Sequence, residues 1–303
     1  MSNTGRRTVL NRRLVRLGGI VKRLRERADL TQAEAAELIG VNRGTWISME
    51  NGTRRPQISK ILAVADKLEA TPGEREKLLA LAAKPQEPGW MRPLRGRLPE
   101  AYSELIEIER DARLIQAWEP TMPHGLLQTP NYARAHARRS LLEATDERVE
   151  ARVIARVSRQ ATFTARDDAH LSVVLGEAAL HYQVGGPDVH HEQLQHLLTA
   201  SHQPNITLQI MPFAGGAHAC MMGSFTIFAF TDDDPPVGYL ETPASDYFLD
   251  DETPDLAHLL NTYPKLKADA LPPAESRELI TTTLQHHERR TQQNGLPFAL
   301  AQE

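Results

Sequence analysis

The sequence predicts two units of different fold class, an all-α unit of five short helices followed by an α+β unit with a small mixed sheet. Residues 17–83 carry apolar positions at helical spacing and two signatures of a helix start. After Ala169 the apolar runs become short, β-branched or aromatic, as is typical of strands. Between these regions, residues 84–99 contain four prolines and two glycines, a density that excludes a continuous helix and predicts a linker.

Two of the five helices are joined by a glycine turn. Thr31 and Glu34 form a capping box, so a helix is expected to begin at Thr31. Gly40 interrupts this helix at a position that needs positive φ or close backbone approach. Val41 is expected to enter the core, and Asn42 is a good N-cap for the second helix.

Three more helices complete the first unit. One precedes the pair, from Leu17 to Ala28, and one follows it, from about Gln57 to Glu69. The last begins with a second capping box, Thr71 to Glu74, with Pro72 at its first position, and runs to about residue 83.

Two short helices joined by a glycine turn predict a helix-turn-helix, whose second helix can enter the major groove of DNA. This segment resembles the Cro/C1-type phage-repressor (XRE) family at Gln32, Ala36, Gly40, Val41, Asn42, Glu50, Asn51 and Gly52. It departs from the family at Trp46, usually aliphatic, and at Ile47, usually polar. Trp46 is expected to fill a roomier core, whereas Ile47 is left open between a thymine contact and simple exposure. The alternative is a helical hairpin that only packs.

Position assigns the DNA contacts. Arg43, Gly44 and Ser48 lie near the start of the second helix and are expected to reach base edges, with Arg43 pairing with guanine. Gln32, Arg54 and Arg55 are predicted to contact phosphate. Asn42 and Thr45 are predicted to contact either phosphate or the floor of the groove. For each arginine the alternative is an exposed charge that only adds solubility.

Charge is distributed unevenly along the chain. Residues 1–83 carry 16 Lys+Arg and 9 Asp+Glu (+7), residues 84–166 carry 14 and 11 (+3), and residues 167–303 carry 5 and 19 (−14). A basic N-terminal part and an acidic C-terminal part are expected to direct only the N-terminal end of the protein to a polyanion. Residues 1–16 are predicted to be a basic arm that either touches DNA or is only a solvated tail.

The composition excludes several classes of protein. One cysteine excludes an internal disulfide, no run of eighteen apolar residues could span a membrane, and the basic N-terminus lacks the apolar segment of a secretory signal. A cytoplasmic location is therefore expected.

The second unit is expected to begin with a helix from Glu100 to Ala117, with a later one starting at Thr129-Pro130. Further helices are expected near 177–183 and 189–201 and from Pro254 and Pro273, and strands at 171–175, 206–211, 225–230 and 237–242. A long helix, 146–166, carries Arg148, Arg152, Arg156 and Arg159 on one face. We expect these arginines to form salt bridges; the alternative is a second phosphate-binding stripe.

Three segments of this unit support a second resemblance. They are Trp118-Glu119-Pro120 with Gly125 to Ala135, Gly176 to Leu180 with Gly185-Gly186-Pro187 and Gln193-Leu194, and Phe225 with Tyr239-Leu240-Glu241. They resemble an Scr1-type, antitoxin-like regulator domain, from about Trp90 to about Gln285. The resemblance implies a short companion protein as partner. His124 departs from it, because proline usually precedes this glycine.

Enzymatic and metal sites are not predicted. His190-His191-Glu192 with His196 has one residue too many for a zinc-protease motif, and surface histidines are expected instead. The sequence contains neither a phosphate-binding loop nor a dinucleotide fingerprint nor a nucleophile elbow. No cofactor and no enzymatic activity are expected.

The predicted organisation is therefore a basic arm (1–16), a helix-turn-helix domain (17–83), a linker (84–99), an α+β effector domain (100–290) and a tail (291–303). The predicted function is a sequence-specific transcriptional regulator that binds double-stranded DNA as a homodimer and senses a partner protein or ligand. The alternative is an antitoxin-like module that binds a small companion protein, with DNA binding serving autoregulation.

Overall fold

The computed structural model describes residues 12–83, 89–94, 96–141, 143–231, 234–242, 246–250 and 253–294. Contacts between Cα atoms divide the chain into two compact units. The first comprises residues up to Arg92 together with Glu100–Glu104, and the second comprises Pro93–Pro99 and the residues from Leu105 onward. The predicted fold class, an all-α unit followed by a mixed α/β unit, is confirmed.

The first unit contains the five predicted helices: α1 (Arg12–Arg27), α2 (Gln32–Leu38), α3 (Arg43–Glu50), α4 (Ile58–Lys67) and α5 (Pro72–Ala82). Helix α1 begins before the predicted Leu17, because Leu14 extends its buried face by one turn. Residues 12–16 of the predicted arm are therefore helical, and residues 1–11 lie outside the described residues. Residues 89–94 of the predicted linker form a 3-10 helix.

The core of the first unit is built around Trp46 of α3, whose side chain is fully buried. Leu17 and Leu24 of α1 and Ile61 of α4 pack in the same cluster. Helices α1 and α3 approach closely at Gly18, where an added Cβ would lie 2.1 Å from the carbonyl oxygen of Glu50. The tryptophan is therefore a core residue, and the absence of a side chain at Gly18 allows α1 and α3 to pack closely.

The second unit is a six-stranded mixed sheet in the order β3-β2-β1-β4-β5-β6. Its strands are β1 (Leu114–Glu119), β2 (His170–Gly176), β3 (Ile206–Met211), β4 (Phe225–Ala229), β5 (Val237–Glu241) and β6 (Asp246–Leu249). Strands β1, β2 and β3 run parallel, whereas β4, β5 and β6 follow in antiparallel pairs. The four predicted strands are present, and two more complete the sheet.

The first helix predicted in this unit is too long. The helix expected from Glu100 to Ala117 ends at Asp111 as α6 (Glu100–Asp111), and residues 114–119 form the central strand β1. Ile115 and Ala117 are buried on one face of this strand and Trp118 on the other, and strands β2 and β4 lie on either side of it. A strand buried on both faces has no polar alternation, so its apolar residues continued the helical pattern of α6.

The remaining helices are α7 (Pro130–Ser140), α8 (Asp146–Thr164), α9 (Pro187–Ala200), α10 (Pro254–Asp269) and α11 (Pro273–Asn294). Residues 177–180, expected to be α-helical, form a 3-10 helix, and residues 295–303 of the predicted tail lie outside the described residues. Helix α10 packs on one face of the sheet, with Tyr263 against Phe225 and Trp118. The hydroxyl of Tyr263 donates to the carbonyl oxygen of Ser172 at 2.6 Å.

Candidate nucleic-acid interface

The turn between α2 and α3 has the predicted geometry. Thr31 and Glu34 form both hydrogen bonds of the capping box, and Gly40 has a φ of +65°. The amide of Val41 donates to the carbonyl oxygen of Ala36 at 2.9 Å. The side chain of Asn42 accepts from the amide of Thr45 at 2.8 Å and so caps α3. Because each bond is local, the sequence of this segment favours this conformation directly.

A buried polar network holds α3 against α1 and α2. The carboxylate of Glu50, 8% exposed, accepts from Nε of Arg25 at 2.6 Å and from Nε2 of Gln32 at 2.6 Å. Burial alone would raise the pKa of Glu50, but the hydrogen bonds from Arg25 and Gln32 and the charge of Arg25 outweigh it, and the pKa lies below its usual value. The ionised network therefore fixes the orientation of α3.

The start of α3 presents its side chains outward. Arg43, Gly44 and Thr45 are exposed, and Ser48 is half-buried with its hydroxyl donating to the carbonyl oxygen of Gly44 at 2.9 Å. Within the part of the chain that the structure describes, the guanidinium of Arg43 makes no hydrogen bond or ion pair. An exposed guanidinium without an internal partner is available to an external acceptor.

A groove of about 400 Å³ lies beside α3, between its first turns and the start of α4. It brings together Asn42, Thr45 and Ser48 with Arg54. It also contains Lys60, which the sequence analysis missed, and Nζ of Lys60 donates to the carbonyl oxygen of Gly40 at 3.2 Å. The only sequence signal for Lys60 was a basic residue in the first turn of a helix, which does not show which surface it faces.

Two of the predicted phosphate contacts also have partners inside the unit. Nη1 of Arg55 donates to the carbonyl oxygens of Ala82 and Ala83 at 3.0 and 2.8 Å, at the C-terminus of α5. A cation at this end of a helix is stabilised by the helix dipole. Gln32 uses its amide group to bind Glu50. Their roles in DNA binding stay predictions, as do those of the other predicted site residues.

The arginine face of α8 is paired within the second unit. Arg159, 4% exposed, forms a buried bidentate ion pair with Glu109 at 2.9 and 2.5 Å. Arg148 pairs with Glu143 at 3.1 Å, and Nη1 of Arg156 donates to Oε1 of Gln128 at 2.5 Å. These partners favour the internal pairing that the sequence analysis expected.

The histidines near residue 190 differ from the expectation of a surface cluster. His190 is 2% exposed and its Nε2 contacts the carbonyl oxygen of Leu180 at 3.0 Å, because it lies on the buried side of α9. His191 and His196 are half-buried. Among the residues that the structure describes, no group of three or more His, Cys, Asp or Glu side chains could hold a metal ion. None of the described helices is long and apolar enough to cross a membrane.

Comparison with known families identifies both units. Residues 16–78 match a family described as Helix-turn-helix domain, and residues 102–282 match one described as Domain of unknown function (DUF5753). Neither the curated proteins nor the solved structures contain a significant match. The helix-turn-helix match suggests DNA binding and is typical of regulators that are not enzymes. The second match covers more than half of the chain, which therefore belongs to the DUF5753 family and carries a helix-turn-helix domain in front of it.

Proposed function

We propose that this protein is a sequence-specific DNA-binding transcriptional regulator without enzymatic activity, whose second unit senses a partner protein or ligand. The observation that carries the proposal is the exposed N-terminal end of α3. Arg43 and Gly44 are exposed there, while Asn42 caps the helix and Trp46 anchors its other face in the core. A homodimer would place two such helices in successive major grooves, roughly 34 Å apart. The acidic second unit, with 19 acidic and 5 basic residues in 167–303, would repel DNA and keep binding at the basic end.

The proposed DNA contacts around α3 are of two kinds, one to a base and the others to phosphate. Arg43 is proposed to read a guanine, because its guanidinium can donate two parallel hydrogen bonds to O6 and N7. Arg54 and Lys60 are proposed to bind phosphate, which adds affinity for every sequence alike. The domain boundaries of the sequence analysis are retained in the proposal, with α1 extended to Arg12.

Arg43→Ala tests base reading. We expect it to weaken binding to the specific site by about 1–3 kcal/mol and to relax the preference at one base pair. The measurement is a titration of the full chain against its operator and against scrambled DNA, after selection of the operator from a random library. Lys67→Ala is the matched control, because Lys67 is an exposed cation at the far end of α4 from the groove. Equal effects of the two variants would contradict the assignment of α3 to the major groove.

Arg54→Ala tests the phosphate contact. It should weaken specific and scrambled DNA alike and reduce the slope of log K against log salt by about one. An unchanged slope would remove Arg54 from the interface.

The second candidate function is the antitoxin-like module implied by the Scr1-type resemblance, with a small companion protein as partner. Exposed aromatic side chains in the second unit favour it. Phe213 is 63% exposed and stacks on His181 with ring centroids 5.9 Å apart, next to the exposed Tyr182. Exposed aromatic residues on a folded unit are common at protein interfaces. If Phe213→Ser abolishes co-purification of a companion protein without changing DNA affinity, this candidate is supported; if the companion is retained, this surface is excluded.

A further inference from the structure

Residues from distant parts of the second unit meet at one edge of its sheet. Ala117 pairs with Thr226 and Thr226 pairs with Tyr239, so the side chains of these three residues share one face. Glu119 lies two residues after Ala117, and Glu241 lies two residues after Tyr239, so both glutamates follow on that same face. Because β1 and β5 both end here, with one strand between them, their backbones are about 10 Å apart.

Asp246 faces Glu241 directly across the β5–β6 pair. Helices α7 and α8 pack against each other and bring Tyr132, Arg152 and Arg156 within electrostatic reach of the carboxylates. We call the group formed by Glu119, Tyr132, Arg156, Tyr239, Glu241 and Asp246 the edge cluster. It contains residues of strands β1, β5 and β6 and of helices α7 and α8.

The two glutamates of the edge cluster form no close ion pair within the described residues. Within the described residues, the side-chain carboxylates of Glu119 and Glu241 make no hydrogen bond or ion pair. Glu119 keeps contact with solvent, yet burial first and the charge of Glu241 second raise its pKa well above its usual value, against the opposing effect of Arg156. This environment favours the protonated form of the Glu119 carboxyl group, and an approaching cation would favour its charged form.

Hydrogen-bonding groups beside Glu119 are also left without partners. Tyr132 is fully buried, and its hydroxyl makes no hydrogen bond within the described part of the chain. The Nε of Arg156 is likewise buried and unsatisfied, while Nη1 is held by Gln128. Gly125 lies close to this guanidinium, since a Cβ added to Gly125 would be 3.6 Å from Nε of Arg156. Buried polar groups in native proteins are almost always satisfied, so a cluster of exceptions indicates a place where another molecule supplies the bonds.

We propose that the edge cluster binds a small molecule that carries an ammonium or guanidinium group together with a carboxylate or carbonyl oxygen, the chemistry of a free amino acid. Glu119 and Glu241 pair with the cationic group, and the Tyr132 hydroxyl and Arg156 Nε–H donate to the oxygen. This inference deepens the proposed sensing function, on which its biological meaning rests.

Binding of the cation should release a proton. Glu119 is the group that loses it, because the entering cation replaces the proton as the partner of the carboxylate. The charged groups that act on Glu119 are Glu241 and Arg156. The other ionisable groups around the edge cluster are Asp246 on β6, Arg152 on α8, His124 in the loop before α7 and His136 on α7. Burial, and then the charges of Arg159 and Arg156, lower the pKa of His124 to about 3, so its imidazole is neutral and does not compete. Burial and Arg156 also lower the pKa of His136.

Calorimetric titration of the full chain, without DNA, tests the proposal. The probes are L-lysine and L-arginine at millimolar concentration, agmatine as the cation without a carboxylate, and acetate as the carboxylate without a cation. Titration in two buffers of different ionisation enthalpy measures the proton released. We expect one of the two amino acids to bind with proton release, agmatine to bind more weakly, and acetate not to bind.

Three variants complete the test. Glu119→Gln should weaken binding by at least about tenfold and abolish the proton release, because the amide cannot replace a charge. Tyr132→Phe keeps the ring in place and should weaken binding while leaving proton release intact. Glu278→Gln, an exposed glutamate on α11, is the matched control and should change neither.

Absence of binding by both amino acids to the wild-type chain overturns the inference, as does equal binding by the Glu119→Gln variant. A chain that binds the probe but fails to bind DNA overturns the proposed regulator function alone. Conversely, specific DNA binding without probe binding overturns only the inference drawn from the edge cluster.

Discussion

Gly44 and Gly73 provide a matched pair that separates DNA contact from helix stability. Both occupy the second position of a helix, after the N-caps Asn42 and Thr71 respectively. Both have room for a methyl group: the nearest atom to a Cβ built on Gly44 is Oδ1 of Asn42 at 3.5 Å, and nothing lies within 4 Å at Gly73. Neither glycine has positive φ.

Alanine at either position should therefore stabilise the first unit. Glycine costs roughly 0.5–1 kcal/mol relative to alanine within a helix, and both values are expected near the lower end because the sites lie in the first turn. Equilibrium urea unfolding of the two variants should show a similar gain. The structure thus predicts that both substitutions are harmless to the fold.

DNA binding should distinguish them. A methyl group on Gly44 would project from the exposed face of α3 into the space that the proposal gives to the base edges. We expect Gly44→Ala to lose about tenfold in affinity, or about 1.4 kcal/mol, for the selected operator, and Gly73→Ala to bind as the wild type does. If the stability of the two variants rises together and their DNA affinities also stay equal, Gly44 does not face DNA and the proposed docking of α3 is wrong.

Two further predictions concern the scaffold of the first unit. Gly18→Ala should destabilise it by more than about 3 kcal/mol, because the added Cβ would lie 2.1 Å from the carbonyl oxygen of Glu50. Gly19→Ala is the control and should be neutral or stabilising, because its Cβ would lie 3.7 Å from the end of the Arg23 side chain. Equal unfolding midpoints of the two variants would contradict the close packing of α1 and α3. Glu50→Gln should cost about 3 kcal/mol, because it removes the buried carboxylate that pairs with Nε of Arg25. Because the folded pKa of Glu50 lies below its unfolded value of about 4.3, the stability from this network is present above that pH and lost as the pH falls through the folded pKa. Acid unfolding of the two proteins should therefore converge at low pH, and a constant difference across the titration would exclude Glu50 as its source.

The helix-turn-helix could be predicted because its signals are local. Thr31 with Glu34 and Thr71 with Glu74 form capping boxes within four residues, and the turn at Gly40 requires only its own φ. Such features are encoded by neighbouring residues and do not depend on the rest of the fold.

The features that sequence reasoning missed depend on long-range pairing. Strand β1 follows α6 after two residues, and only its neighbours β2 and β4, from far along the chain, decide that it is extended. His124 occupies a position where the resembled family usually has proline, and its Nδ1 accepts from the amide of Leu126 at 3.3 Å, a bond that proline could not make. The edge cluster could not be foreseen either, because the register of three strands brings Glu119 beside Glu241.

The central position of β1 has a consequence for synthesis on the ribosome. Residues 114–119 emerge early, but one of their neighbours in the sheet, Phe225–Ala229, follows more than a hundred residues later. The first unit contains mainly local helical contacts and can fold while the remainder is still being made. A nascent chain would therefore present a folded helix-turn-helix while β1 still exposes an unpaired, apolar edge. The second unit is then most prone to aggregation, and most dependent on chaperones, until β4 has been translated.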